Sequence, residues 1–144
     1  MAEPSTPSSS RPARAATVAE IMEPALTTAQ LTDHIAAAAY LMKHAGTTAL
    51  VVLDAETDRP IGILTDTDIS HVVADGMNVN DVRISDVMTP DPTVVGTATS
   101  LREAGKLMTD GHFRHLPVVG DNSGVAGIVD ISAICRALID PGER

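Results

Sequence analysis

An internal repeat constrains the fold of this chain more than any other feature of its sequence. Four short apolar segments recur in the same order: residues 18–22 and 84–88, 41–42 and 107–108, 50–52 and 116–118, and 62–64 and 127–129. The copies are 66 residues apart for the first three pairs and 65 for the last, which indicates one deletion in a turn. Neither half of the chain is large enough for a good core alone. We therefore expect the copies to pack on each other through equivalent faces.

The first copy is predicted to fold in the order strand, helix, strand, strand, helix. Residues 35–45 follow helical spacing, and Gly46 ends that helix. Two apolar runs, 48–53 and 61–64, lie on either side of a polar turn and predict a pair of strands. A second helix is expected to start near Thr67 or Asp68 and to end at Gly76.

The second copy repeats this order. Residues 100–103, Ser-Leu-Arg-Glu, fit a capping box at the start of a helix, and the runs 116–119 and 125–129 predict strands. Short apolar strands alternating with helices indicate an α/β fold of two tandem β-α-β-β-α repeats. We place the repeats at 17–78 and 79–141. They follow a Pro- and Ser-rich N-terminal tail, residues 1–16, which is predicted to be disordered.

The charge balance and hydropathy disfavour two classes of partner. The chain carries 19 Asp and Glu against 10 Lys and Arg, a formal net charge of −9. Such a chain repels the phosphate backbone, so general nucleic-acid binding is disfavoured. No run of 18 apolar residues predicts a membrane span, and the N-terminus lacks the apolar core of a signal peptide. These features predict a cytoplasmic protein without nucleic-acid or membrane partners.

The segment 62–69, Gly-Ile-Leu-Thr-Asp-Thr-Asp-Ile, offers the most specific chemistry in the chain. It runs from a predicted buried strand into a helix, and such a junction presents free backbone N–H groups to an anion. Thr65 can donate a hydrogen bond to a phosphate, and Asp68 can accept from two sugar hydroxyls. The same residues are also typical of a simple helix N-cap, so both interpretations stay open at this point.

The repeat as a whole resembles the CBS-domain family. The resemblance lies in residues 62–69, in Arg114-His-Leu-Pro-Val at 114–118, and in the Ile-Met and Val-Met pairs at 21–22 and 87–88. It covers roughly residues 18–139. It implies two repeats related by a pseudo-twofold axis, with AMP, ADP, ATP or S-adenosylmethionine bound between them.

The resemblance also implies roles for individual residues. Thr65 and Asp68 are expected to hold phosphate and ribose, while Arg114 and His115 from the other repeat meet the phosphates. Ile63, Thr93 and Val94 are expected to line the base pocket.

The second copy departs from the motif of the first. Its equivalent segment carries Asp130 in place of Thr65 and Ala133 in place of Asp68. Opposite this place the first copy offers Thr47 and Thr48, with no cation. We therefore predict one nucleotide site per chain.

Two other kinds of site are disfavoured. No set of nucleophile, base and orienting residue is visible, so we predict that the chain is not an enzyme. The five histidines show no ligand spacing joined to cysteines or carboxylates, which argues against a metal site. Cys135 is predicted to be a small core residue of the last helix.

The favoured function is a regulatory module that senses an adenine-containing ligand. Ligand binding would shift the repeat pair between states, and an unknown effector protein would read the change. No cofactor is required. The alternative is a protein-interaction scaffold of the same fold that binds no ligand. A homodimer is expected in either case, because symmetric dimers are the commonest oligomers.

Overall fold

The structure, a computed structural model, describes residues 17–25 and 28–139. The tail predicted at residues 1–16 lies outside the described residues, as do residues 140–141 at the end of the second predicted repeat. After a 3₁₀ turn at Val18–Glu20, the strands are β1 (Thr28–Gln30), β2 (Ala49–Leu53), β3 (Pro60–Thr65), β4 (Thr89–Pro90), β5 (Val95–Gly96), β6 (His115–Val119) and β7 (Val125–Asp130). The helices are α1 (Ile35–Ala45), α2 (Asp66–Ala74), α3 (Ile84–Val87), α4 (Leu101–Gly111) and α5 (Ile131–Ile139).

The strands form two mixed sheets of matching topology. The first has the order β1-β2-β3-β4, with β1 parallel to β2 and the other pairs antiparallel. The second has the order β5-β6-β7, with β5 parallel to β6 and β6 antiparallel to β7. Glu23 adds an isolated antiparallel bridge to Ile128 in β7, as β4 pairs with Ile63 in β3. The predicted α/β fold of two similar repeats is confirmed.

The segment that begins each repeat packs into the core of the other repeat. We name residues 18–22 the first lead segment and residues 84–88 the second. Val18 is fully buried among apolar side chains of β5, β6, β7, α4 and α5, while Ile84 is fully buried among those of the first sheet and its helices. The bridges Thr17–Ser100 and His34–Arg83 hold the two crossings at equivalent places, 66 residues apart. The predicted boundaries, 17–78 and 79–141, therefore describe sequence units, since each packed core draws a segment from the other unit.

Two glycines make these crossings possible. A Cβ on Gly62 would collide with the Met88 sulfur, and a Cβ on Gly127 would lie 2.7 Å from the Glu23 carbonyl oxygen and 2.8 Å from the Met22 sulfur. The Gly-Ile and Ile/Val-Met motifs of the repeat are thus partners in close packing. This contact explains why the two kinds of motif recur together in both copies.

The helix boundaries follow local signals closely. Gly46 ends α1 in the left-handed conformation, with φ of 68°, as its position predicts. The helix α2 begins at Asp66, just before the predicted start at Thr67 or Asp68, and ends at Ala74, before the predicted end at Gly76. At Ser100 only half of the predicted capping box forms within the described residues, because the Ser100 hydroxyl accepts from the Glu103 N–H at 3.0 Å without a reciprocal bond.

The prediction for Cys135 is wrong, because its side chain is exposed. On α5 the buried position is the preceding residue, Ile134. One residue further along a helix turns the side chain by about 100°, which takes Cys135 away from the core.

Candidate functional site

A cleft of about 430 Å³ opens where the two repeats meet, and we call it the first cleft. Its volume lies in the range of ordinary small-molecule sites. Its walls come from the end of β3 and the start of α2, from β4 and the loop after it, and from the segment leading into β6. The lining residues are Ile63, Thr65, Asp66, Thr67, Asp68, Thr89, Asp91, Pro92, Thr93, His112, Phe113, Arg114 and His115.

The junction of β3 and α2 is built as a reciprocal capping box. The Asp68 N–H donates to the Thr65 hydroxyl oxygen at 3.3 Å, and the Thr65 N–H donates to Oδ2 of Asp68 at 2.8 Å. The Asp66 N–H donates to the Thr48 carbonyl at 3.0 Å. Within the described residues, the Thr67 N–H, the Thr65 hydroxyl proton and Oδ1 of Asp68 are left without partners. Thr65 and Asp68 therefore form the helix N-cap, and the same turn also presents groups that can bind a ligand.

Arg114 supplies the permanent positive charge of the first cleft. Its side chain is exposed, and no hydrogen-bond acceptor holds the guanidinium within the described part of the chain. A free guanidinium across a cleft from a helix N-terminus is suited to a phosphate, which it can grip through two parallel N–H bonds.

His115 is held more tightly than Arg114 and connects the two repeats. Its Nε2 lies 3.1 Å from the Thr48 hydroxyl of the first repeat and 4.0 Å from Oδ2 of Asp130, and its side chain is only 9% exposed. Burial lowers the pKa of His115, and this effect outweighs the opposing attraction of Asp130. The imidazole is therefore neutral at physiological pH and serves as a polar wall of the cleft.

Ile63, Thr93 and Pro92 also line this cleft. Of the seven residues predicted for the site, the structure brings six to this cleft. Val94 is the exception, because it does not line the cleft and its side chain is 38% exposed.

Several lining residues were not predicted from the sequence. Thr89 and Asp91 reach the cleft only because the second lead segment crosses to the first sheet, and the repeat pattern carries no signal for that crossing. His112 and Phe113 directly precede Arg114 in the sequence. Because Arg114 was predicted to face the phosphates, this proximity could have placed both residues in the cleft.

A second cleft of about 350 Å³ lies at the equivalent place on the other repeat. Its described lining is Glu23, Pro24, Ala25, Ala45, Thr47, Ala49, Val51 and Ile128. Ile128 occupies the place of Ile63, and Glu23 that of Thr89. These lining residues include no Lys, Arg or His, so this cleft offers a phosphate no cation.

Asp130 does not line the second cleft, because its carboxylate caps its own helix. Its Oδ1 accepts from the Ser132 N–H at 2.6 Å and from the Ser132 hydroxyl at 2.8 Å. Burial alone would raise the pKa of Asp130, but these two hydrogen bonds, helped by His115 and Arg114, lower it. The carboxylate is therefore a charged structural cap.

The described residues contain neither a metal-binding cluster nor a membrane-spanning helix. No group of three or more His, Cys, Asp or Glu side chains in residues 17–25 and 28–139 is arranged to hold a metal ion. No helix within these ranges is long and apolar enough to cross a membrane.

Known proteins of the same kind match both repeats. The CBS-domain family model matches residues 18–75 and 84–140. An uncharacterised protein of Methanopyrus kandleri is 34% identical over 124 residues, and the match spans 85% of this chain but only 63% of that protein's length. A protein with CBS domains from Burkholderia ambifaria MC40-6 superposes with a TM-score of 0.78 at 29% identity, covering 89% of this chain and 97% of that one.

A third relative was solved with a ligand. The CBSX2 protein of Arabidopsis thaliana, in complex with AMP, gives a TM-score of 0.70 at 26% identity and covers 87% of this chain and 97% of its own. Some relatives assemble into oligomers, including a hexameric cyanobacterial CBS protein. Both matched regions of this chain are CBS domains, a regulatory family, as expected for a chain predicted to be a regulatory module and not an enzyme. The chain belongs to the CBS-domain family and is a tandem CBS pair.

Proposed function

We propose that this CBS pair is a regulatory module that binds an adenine-containing ligand, AMP, ADP, ATP or S-adenosylmethionine, in the first cleft. The observation that carries the proposal is the free guanidinium of Arg114, which faces the capped turn of β3 and α2 from the other repeat. The CBSX2 complex with AMP supports an adenine nucleotide as the class of ligand.

The groups that the cap leaves uncommitted fit the parts of a nucleotide. Arg114 and the Thr67 N–H provide charge and a donor for phosphate, and the Thr65 hydroxyl can donate a further bond. Oδ1 of Asp68 can accept from a ribose hydroxyl while Oδ2 keeps the cap. Ile63 and Thr93 offer an apolar and a polar surface to the base.

One ligand per chain follows from the difference between the clefts. The described lining of the second cleft lacks a cation and carries the carboxylate of Glu23. A phosphate placed there would meet repulsion in a partly desolvated space.

The regulatory output follows from the position of the cleft between the repeats. A ligand that contacts Thr65 on one side and Arg114 on the other stabilises the arrangement in which both are in reach. The ligand shifts the equilibrium between two arrangements of the repeats by as much as its affinities for them differ. An effector protein then recognises the favoured arrangement.

Calorimetry with the four ligands tests this function. We expect saturable binding of at least one of them, with one site per chain. The substitution Arg114→Gln should weaken nucleotide binding about tenfold to a hundredfold, because a charge-assisted hydrogen bond contributes roughly 1.5–3 kcal/mol.

The matched control is Arg102→Gln, which removes the same charge from an exposed position on α4 outside the cleft. Equal weakening by both substitutions, or two equivalent sites per chain, contradicts the proposed placement. If none of the four ligands binds, the alternative holds and the pair is a protein-interaction scaffold.

A further inference from the structure

We infer that the first cleft selects a nucleoside monophosphate over the corresponding di- and triphosphate, because it sets one arginine against three carboxylates. This inference rests on the proposed function and adds to it the charge of the ligand. It comes from the lining residues that the motif did not include, Asp66 and Asp91, together with Asp68.

The positive side of the cleft is small. Among the described lining residues, Arg114 alone carries a permanent positive charge. His115 lies beside it, but this imidazole is held by Thr48 and is neutral because burial lowers its pKa. The other lining imidazole, His112, is exposed to water. Arg114 is thus the one permanently charged group in the described lining that can directly neutralise a phosphate.

Three aspartates line the same cleft. Asp66 is the first residue of α2 and lines the same cleft as Arg114 and His115. Asp68 sits two residues further along the cap. Asp91 enters from the loop after β4, where its N–H donates to the Ile61 carbonyl at 3.1 Å.

The charges of the cleft favour the first phosphate of a nucleotide over the second and third. The phosphate of AMP can pair with Arg114 and the Thr67 N–H. Each further phosphate adds about one negative charge, finds no second arginine or lysine in the described lining, and shares the cleft with Asp66, Asp68 and Asp91. Like charges that share one cleft repel each other, and water screens part of this repulsion because Asp66 and Asp91 are exposed. We therefore expect ATP to bind at least tenfold more weakly than AMP, with ADP between them.

The experiment compares the affinities of AMP, ADP and ATP by calorimetry on the full chain, in buffer with EDTA and no divalent cation. In the variant Asp66→Asn, which keeps the shape of the side chain, ATP should gain at least threefold in affinity relative to AMP. The control Asp58→Asn changes net charge equally in the turn between β2 and β3. Its φ of 61° is one that Asn tolerates, and it should leave the ratio unchanged.

The outcomes separate this inference from the function on which it rests. If wild type binds ATP within threefold of AMP, or if Asp66→Asn and Asp58→Asn shift the ratio equally, the selectivity is wrong although the cleft binds nucleotides. If adding Mg²⁺ makes ATP the tighter ligand, the inference is also overturned, because the carboxylates then serve a metal–triphosphate complex. Absence of binding by any adenine ligand instead contradicts the proposed function itself.

Discussion

At the scale of single residues, His115 shows how a motif position can serve both the cleft and the contact between repeats. Its ring lines the first cleft and also lies within hydrogen-bond distance of Thr48. Arg114, one residue earlier, is free of such contacts in the described residues. The two residues therefore differ in function, with Arg114 available for charge and His115 for holding the repeats together.

The lowered pKa of His115 predicts how stability depends on pH. A pKa below the ordinary value of 6.5 means that the unfolded chain binds the proton more readily than the folded protein does. The stabilisation is therefore complete above pH 6.5 and is lost as the pH falls from there through the lowered pKa. We expect the free energy of unfolding to fall more steeply in wild type than in His115→Gln across this window, as measured by urea denaturation.

The control for that measurement is His44→Gln, since His44 is exposed on α1. It should keep the wild-type slope, because it leaves His115 and its surroundings unchanged. If the slope of His115→Gln equals that of wild type, the neutral state of His115 is not what the fold depends on.

At the scale of elements, the crossing of the lead segments makes each repeat depend on the other. Ile84 belongs to the second copy by sequence but is fully buried in the first core. The substitution Ile84→Ala should destabilise the protein by about 2–5 kcal/mol, as for other large-to-small changes in cores. Hydrogen exchange should show the larger increase at amides of β2 and β3.

Val18→Ala is the corresponding substitution for the second core, in which Val18 is fully buried. It should raise exchange chiefly in β6 and β7, with a smaller loss of stability since valine gives up fewer methyl groups. Val94→Ala, at an exposed position, is the matched control and should change stability by less than about 0.5 kcal/mol. The crossing is contradicted if Ile84→Ala loosens β6 and β7 first.

The sequence predicted the elements well because their signals are local. The end of α1 at Gly46, the strands of residues 48–53 and 61–64, and the cap at Thr65 each depend on a few neighbouring side chains. The crossing was not predictable in this way, since the contact of Gly62 with Met88 joins residues far apart in the chain. For the same reason Asp91 was missed in the site, while Arg114 was found from its motif.

At the scale of the whole molecule, the two repeats leave matching apolar positions on the surface. Val73 on α2 and Leu138 on α5 are equivalent in the two repeats, and their side chains are 62% and 46% exposed. Met77 and Ile139 lie near them in the sequence and are exposed as well. Exposed apolar groups at symmetric places are suited to a symmetric interface, in which one surface meets its own copy.

We therefore expect a homodimer that buries these second helices. Light scattering at micromolar concentration should give twice the chain mass of 15.0 kDa. Val73→Asp and Leu138→Asp should each shift the mass towards the monomer, because a buried unpaired carboxylate at an interface is strongly unfavourable. Ala55→Asp adds the same charge at an exposed turn between β2 and β3 and should leave the dimer intact. A wild-type mass of 15.0 kDa, or equal dissociation by all three variants, contradicts this interface.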